Sequence, residues 1–254
     1  MRILITNDDG ILAPGLAVME RIAATFGDEV WTVAPETDQS GISHALTLSN
    51  PLRIRELDTR RFAVSGTPAD CIICAVRTVM PEPPDLVLSG VNAGQNIADD
   101  VVYSGTIGGA MEARLMGIRS IAVSQAYRWD EGKVIPWETA EHHGPALIGH
   151  LATLDLPGST FLNVNFPSVE PAEVTGSVVA VQGSVEHNLM TEMRTDTRGN
   201  EYHWLRFARG TAREREGSDV AALRAGKVAI TPVDVDLTAR SALDIVAEHL
   251  ARRG

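Results

Sequence analysis

The 254-residue sequence predicts an α/β fold: a mostly parallel sheet flanked by helices, with β-hairpin extensions toward the C-terminus. Two observations carry this. Short apolar strand-type runs alternate with helix-type runs through the first two thirds, the pattern of a parallel sheet covered by its crossover helices. Beyond Pro167 the pattern becomes strand-like segments separated by polar stretches, with no internal repeat or low-complexity linker between the two parts. One α/β domain over residues 1–254 is therefore expected, with a core over about 1–167 and a β-rich extension plus terminal helix over about 168–254, readable as an oligomer arm.

Each element follows from its pattern. Arg2–Thr6 reads as a buried strand and Pro14–Phe26 as a helix opening on proline, a favoured first-turn residue. Glu29–Ala34 is the second strand, and the alternation in Ala45–Glu56 and Arg61–Ser65 predicts a hairpin. Pro68–Val79 reads as a helix, Asp85–Ser89 as a strand, Gly105–Met116 as a helix and Ser120–Ser124 as a strand. Trp137–Leu154 is a longer helix and Thr160–Asn165 the next strand. In the extension, Val178–Val181 and Tyr202–Phe207 read as strands on either side of a polar stretch. Ser218–Ala225 reads as a short helix, Lys227–Thr231 as a strand ending at Pro232, and Ala239–Arg253 as the terminal helix.

Composition narrows the function classes. An apolar fraction of 44% with 22% charged residues is ordinary for a globular protein. No apolar run approaches the ~20 residues that cross a bilayer, and the N-terminus passes into a strand rather than a signal peptide, so the expected compartment is the cytoplasm with no membrane partner. The formal net charge of −11 argues against a nucleic-acid polymer as partner, because that affinity depends on Lys and Arg neutralising phosphates. A small phosphorylated ligand remains compatible if a cation supplies local positive charge. Cys71 and Cys74 share one face of the predicted helix, and no second pair exists to complete a four-thiolate zinc site, so they read as buried reduced thiols.

Four loops follow strands, and in a parallel sheet such loops converge at one edge. Asn7-Asp8-Asp9-Gly10 places two carboxylates side by side; this fits half of a hard-cation site or a polar turn. Ala34-Pro-Glu-Thr-Asp-Gln-Ser40-Gly41 allows a tight turn, and Ser40 alone reads better as a turn residue than as a ligand. Ser89-Gly-Val-Asn92-Ala-Gly-Gln-Asn96 offers amide oxygens to a cation and amide donors to a phosphate, or simply left-handed turn residues. Tyr103-Ser104-Gly105-Thr106 opens a helix whose N-terminus favours an anion, although taken alone it reads better as a plain Ser or Thr N-cap. No His, Cys or Glu cluster has transition-metal spacing, and the oxygen donors point to Mg²⁺, Mn²⁺ or Ca²⁺. His142 and His143 read as a solvated helix face; His44 follows the Ser40 loop closely.

Together the loops resemble the SurE family of 5′/3′-nucleotidases. The matching segments are Ile3–Gly10, Val33–Pro35 with Gln39–Gly41, Val64–Cys71, Ser89–Asn96, Tyr103–Thr106, Leu162–Pro167, Asp196–Gly199, Glu216–Asp219 and Ile230–Pro232. The resemblance implies a Rossmann-like core and a divalent-cation-dependent phosphomonoesterase that converts nucleoside 5′-monophosphates, and 3′-monophosphates or short polyphosphates, to product and phosphate. It implies one divalent cation per subunit (Mg²⁺ or Mn²⁺, with Ca²⁺ also suited) held by Asp8, Asp9, Ser40 and Asn92. It implies Asn96, Ser104, Gly105 and Thr106 near the phosphate, with Asp8 and Asn96 in catalytic roles. It also implies a homodimer or homotetramer built by a C-terminal oligomerisation segment. A metal-stabilised nucleotide-binding module without turnover is the alternative, and a metal-using glycosyl- or nucleotidyl-transferase a third reading. One departure is visible: the loop before Ser40 is acidic, Glu36-Thr37-Asp38-Gln39, where many members carry basic residues.

Overall fold

The computed structural model describes residues 1–185, 188–208, 212–213 and 215–252. The core runs β1 (Arg2–Thr6), α1 (Pro14–Ala23), β2 (Glu29–Pro35), β3 (Ile54–Asp58), β4 (Arg61–Val64), α2 (Pro68–Cys74), β5 (Leu86–Asn92), α3 (Gly105–Leu115), β6 (Arg119–Gln125), β7 (Arg128–Trp129), β8 (Lys133–Val134), α4 (Trp137–Leu151) and β9 (Thr160–Phe166). The extension adds β10 (Ser177–Val179), β11 (Ser184–Val185), β12 (Asn188–Thr195), β13 (Glu201–Ala208), β14 (Ala212–Arg213), α5 (Asp219–Arg224), β15 (Val228–Asp234) and α6 (Leu243–Ala251).

Nine strands form the main sheet in the order β10-β15-β9-β6-β5-β1-β2-β4-β3. Every neighbouring pair from β4 to β9 is parallel. Strand β15 closes antiparallel on β9, and β3 antiparallel on β4 with a register shift between Glu56 and Asp58. Side chains alternate across the sheet as a pleat requires. Ile3 and Ile5 of β1 face one way and pack with Leu16, Met19 and Ile22 of α1 and Ile148 and Leu151 of α4. Leu4 faces the other way, against Cys71 and Ile72 of α2 and Ala113 of α3. Among the described residues no helix is long and apolar enough to cross a membrane.

Differences from the sequence expectations have local causes. Of the expected Ala45–Glu56 strand only Ile54–Glu56 forms, continuing to Asp58, because the preceding backbone is bonded elsewhere. Ser43 N–H donates to the Tyr103 carbonyl, Thr47 N–H to Asp70, and the Ala45 carbonyl accepts from the Thr67 hydroxyl. The expected Pro68–Val79 helix is α-helical to Cys74 and widens into a π-type turn over Ala75–Val79. Its start is fixed by a reciprocal cap: Thr67 Oγ1 accepts from Asp70 N–H, and the Asp70 carboxylate accepts from Thr67 N–H. Cys71 and Cys74 are free and buried, as expected.

Strand β15 continues through Pro232 to Asp234. Its pairing with β10 ends at Ile230, so at Pro232 it has a neighbour on one side only, where a missing N–H is tolerated. The terminal α-helix begins at Leu243, after a tighter turn over Arg240–Ala242, rather than at Ala239; residues 253–254 lie outside the described residues. Strand β12 occupies much of what the sequence shows as a polar stretch.

Candidate functional site

The chain leaves β1 toward β2 and β4 on one side, then crosses to β5, β6 and β9 on the other. The crevice between the carboxyl ends of β1 and β5 is therefore the point where the strand order reverses, the position at which open α/β sheets bind ligands. Asp8 and Asp9 follow β1, and Asn92 ends β5.

Asp8 is buried, at 4% exposure. Its Oδ1 accepts a 2.5 Å hydrogen bond from the Thr106 hydroxyl in the first turn of α3. The preceding residue must lack a side chain: a Cβ at Gly105 would stand 2.8 Å from Asp8 Cβ and 2.9 Å from Oδ2. The Asp8 carbonyl accepts from Gln39 N–H at 2.8 Å, tying the acidic loop to the same turn. Asp9 Oδ2 accepts from Ala93 N–H at 3.0 Å, which joins the Asn92 loop. Asn7 closes the turn by donating to the Gly10 carbonyl at 2.9 Å, and Gly10 adopts φ +100°, which L side chains rarely reach. Three of the four loops therefore meet Asp8 and Asp9 through named bonds.

Burial pushes the Asp8 carboxyl up to about 6; the Thr106 hydroxyl opposes the rise and neighbouring Asp9 adds to it. Asp9 is also raised, again mainly by burial, with the Ala93 N–H opposing and Asp38 adding. A crowded, desolvated carboxylate pair is costly as two anions, and a cation reverses that cost. The Asn7 Oδ1 atom is buried with no hydrogen-bond partner among the described residues, one more oxygen beside this turn.

Ser40 behaves as its turn reading requires, whereas Asn92 closes β5 and, like Asn96, does not take the left-handed conformation of its turn reading. Ser40 is exposed, and its N–H and hydroxyl both donate to Asp38 Oδ1, at 2.7 and 2.6 Å. Asn92 Nδ2 donates to the Gly94 carbonyl at 2.8 Å, which turns the amide donor inward and leaves Oδ1 as the acceptor. These bonds leave oxygen lone pairs available on both residues. Among the described residues no group of three or more His, Cys, Asp and Glu could hold a metal ion. A cation here would depend on hydroxyl and amide oxygens beside the two carboxylates, a donor set that suits a hard ion.

Asn96 is buried at 7% exposure and bonded away from the carboxylate pair. Its Nδ2 donates to Ser124 Oγ at 2.9 Å, its N–H to Asn165 Oδ1 at 2.8 Å, and its carbonyl accepts from Asn163 Nδ2 at 2.8 Å. Ser124, Asn163 and Asn165 thus brace the Asn-rich loop, a role the sequence reading did not assign, although Asn163 and Asn165 lie in a matched segment. Ser104 caps α3, its hydroxyl accepting from Ile107 N–H at 3.1 Å. His44 lies 2.8 Å from Glu112 on α3, and acidic Glu36 pairs with Arg55 at 3.4 Å. His143 is half-buried and contacts the Pro171 carbonyl rather than standing on a solvated face.

The family model described as "Survival protein SurE" matches residues 3–188. The chain belongs to the SurE family. Among its relatives, the 5′-nucleotidase SurE of Chelativorans sp. (strain BNC1) is 56% identical, over 99% of this chain and 100% of that protein. The 5′-nucleotidase SurE of Allorhizobium ampelinum is also 56% identical, over 98% of each. The crystal structure of the SurE protein from Aquifex aeolicus superposes with a TM-score of 0.82 at 35% identity, covering 97% of this chain and 98% of that one. The SurE family match spans all four loops and stops where β12 begins.

Proposed function

We propose that the chain is a divalent-cation-dependent phosphomonoesterase that hydrolyses nucleoside 5′-monophosphates, and 3′-monophosphates or short polyphosphates, to product and inorganic phosphate. The observation that carries this is the carboxylate pair at the strand-order reversal, buried Asp8 beside half-buried Asp9, with the first turn of α3 packed against Asp8 through Gly105 and Thr106. The 5′-nucleotidase relatives at 56% identity support the substrate class.

The oxygens of Asp8, Asp9, Ser40 and Asn92 fit one Mg²⁺ or Mn²⁺, with Ca²⁺ also suited. Such an ion supplies charge neutralisation at a phosphoryl oxygen and lowers the pKa of a water. Asp8 is the group at the reacting atoms, as general base toward water or as nucleophile toward phosphorus. Thr106 serves by holding Asp8, since its hydroxyl is already donated there. Gly105 leaves room beside Asp8, and the Ser104 hydroxyl supplies a donor toward the phosphoryl oxygens, while Asn96, donated to Ser124 and Asn165, acts by bracing the Asn-rich loop.

Phosphate release from adenosine monophosphate, dependent on added Mn²⁺ or Mg²⁺ and abolished by EDTA, is the expected result. Nucleotide binding without release would point to a binding module instead.

We also propose a homodimer or homotetramer built through β12–β13 and α6. An isolated two-stranded hairpin is marginal in water, yet among the described residues β12 and β13 pair only with each other while exposing Met190, Met193, Trp204 and Leu205. Helix α6 buries no residue and exposes Leu243, Val246 and Leu250 along one stripe. Light scattering measures the particle mass; a single-chain mass would exclude this assembly.

A further inference from the structure

We propose that the β7–β8 hairpin forms the nucleobase subsite, with Trp129 as the stacking surface and Lys133 as its link to the phosphate end. The inference rests on the nucleotidase reading and adds which element holds the base. In this hairpin Trp129 pairs with Lys133 and Arg128 with Val134. Residues that alternate along a strand, and those paired across it, share a face, so Tyr127, Trp129 and Lys133 lie together. Arg128 points the other way and is anchored there by Asp130 at 3.0 Å, Glu170 at 2.9 Å and the Ser168 carbonyl at 3.2 Å.

That shared face adjoins the carboxylate pair. Lys133 Nζ donates to the Ala93 carbonyl at 2.9 Å, and Ala93 N–H donates to Asp9 Oδ2 at 3.0 Å. The Tyr127 ring stands 3.5 Å from where a Gly94 side chain would begin, so the glycine admits the ring against the Asn92 loop. Lys133 Nζ sits 4.6 Å from the Tyr127 ring centroid. Trp129 meets that ring edge-on at 6.2 Å and leaves 57% of its surface exposed. The result is a continuous path from Asp9 through Ala93 and Lys133 to an exposed indole. A flat aromatic beside a cation, next to a phosphate site, matches a nucleoside monophosphate in both its base and its charge.

The test compares adenosine 5′-monophosphate with ribose 5-phosphate, which keeps the phosphate and lacks the base. In Trp129→Ala the ratio of kcat/KM between the two should fall about tenfold through KM for the nucleotide, and Trp129→Phe should recover most of it. Lys133→Gln should raise KM for both compounds. Independently of turnover, adenosine monophosphate should quench tryptophan emission in the unaltered protein, and Trp129→Phe should remove that quench. An unchanged ratio in Trp129→Ala, an equal loss on both compounds, or a change in particle mass showing that a partner subunit covers Trp129 would each overturn the proposal. If the unaltered protein released phosphate from neither compound, the nucleotidase reading would fail, and the quench alone would then decide whether the hairpin holds a base.

Discussion

The carboxyl edge of the sheet and the C-terminal extension are stabilised in opposite ways. At the edge, polar groups are buried and bonded to one another: Asp8 to Thr106, Asp9 to Ala93, Asn96 to Ser124, Asn163 and Asn165. In β12–β13 and α6, large apolar groups such as Met190, Trp204, Leu205, Leu243 and Leu250 stand exposed. Among the described residues, the first region lacks a positive charge and a partner for the buried Asn7 Oδ1; the second lacks apolar cover. A buried polar network fixes geometry because each unmet bond is costly, whereas an exposed apolar stripe fixes nothing until something covers it.

The sharpest way to break the comparison is Asp8→Asn. It should keep the fold and reduce cation-dependent phosphate release about 10³-fold, measured as kcat. Next, Gly15→Ala should destabilise the chain by about 3 kcal/mol in urea unfolding, because its Cβ would stand 2.0 Å from the Val91 carbonyl, a backbone atom at the end of β5. A smaller effect concerns pH. The Asp8 carboxyl is raised to about 6 in the fold, so its favourable contribution is present in acid and is lost as pH rises through about 6. Cation-free protein should therefore be less stable at pH 8 than at pH 5 by about 1.4 kcal/mol from this group, and Asp8→Asn or added Mn²⁺ should remove that contribution. Unfolding midpoints across pH with EDTA present measure this. The smallest effect belongs to the extension: Leu243→Ser with Val246→Ser and Leu250→Ser should change core stability by less than about 0.5 kcal/mol while reducing particle mass to one chain. A large loss of core stability would show that α6 is part of the fold rather than of an assembly.

Much of this was legible in sequence where local pattern and tertiary context agree. The apolar runs of β1, β5, β6 and β9 are buried on both faces and announce themselves, and Pro14 marks the start of α1. The Asp8-Asp9 pair and the start of α3 were readable because each follows or opens a regular element. Strand β12 was not, because Asn188–Thr195 is held by cross-strand pairing with β13 rather than by an apolar pattern. The β7–β8 hairpin is too short for any period to show. The bracing of Asn96 by Asn163 and Asn165 joins residues 67 and 69 positions apart, a contact that no local pattern reveals.

The register shift in β3 has a consequence for the molecule in a crowded cell. Strand flanks are templates on which further chains can add, and a nine-stranded sheet left open at its side invites fibrous growth. Here the last strand carries exposed Arg55, Glu56 and Asp58 and loses register between the latter two, while the opposite flank is only the three residues Ser177–Val179. Neither border is a flat ladder for a newcomer, so copies of this chain can be concentrated without zipping together into endless ribbons.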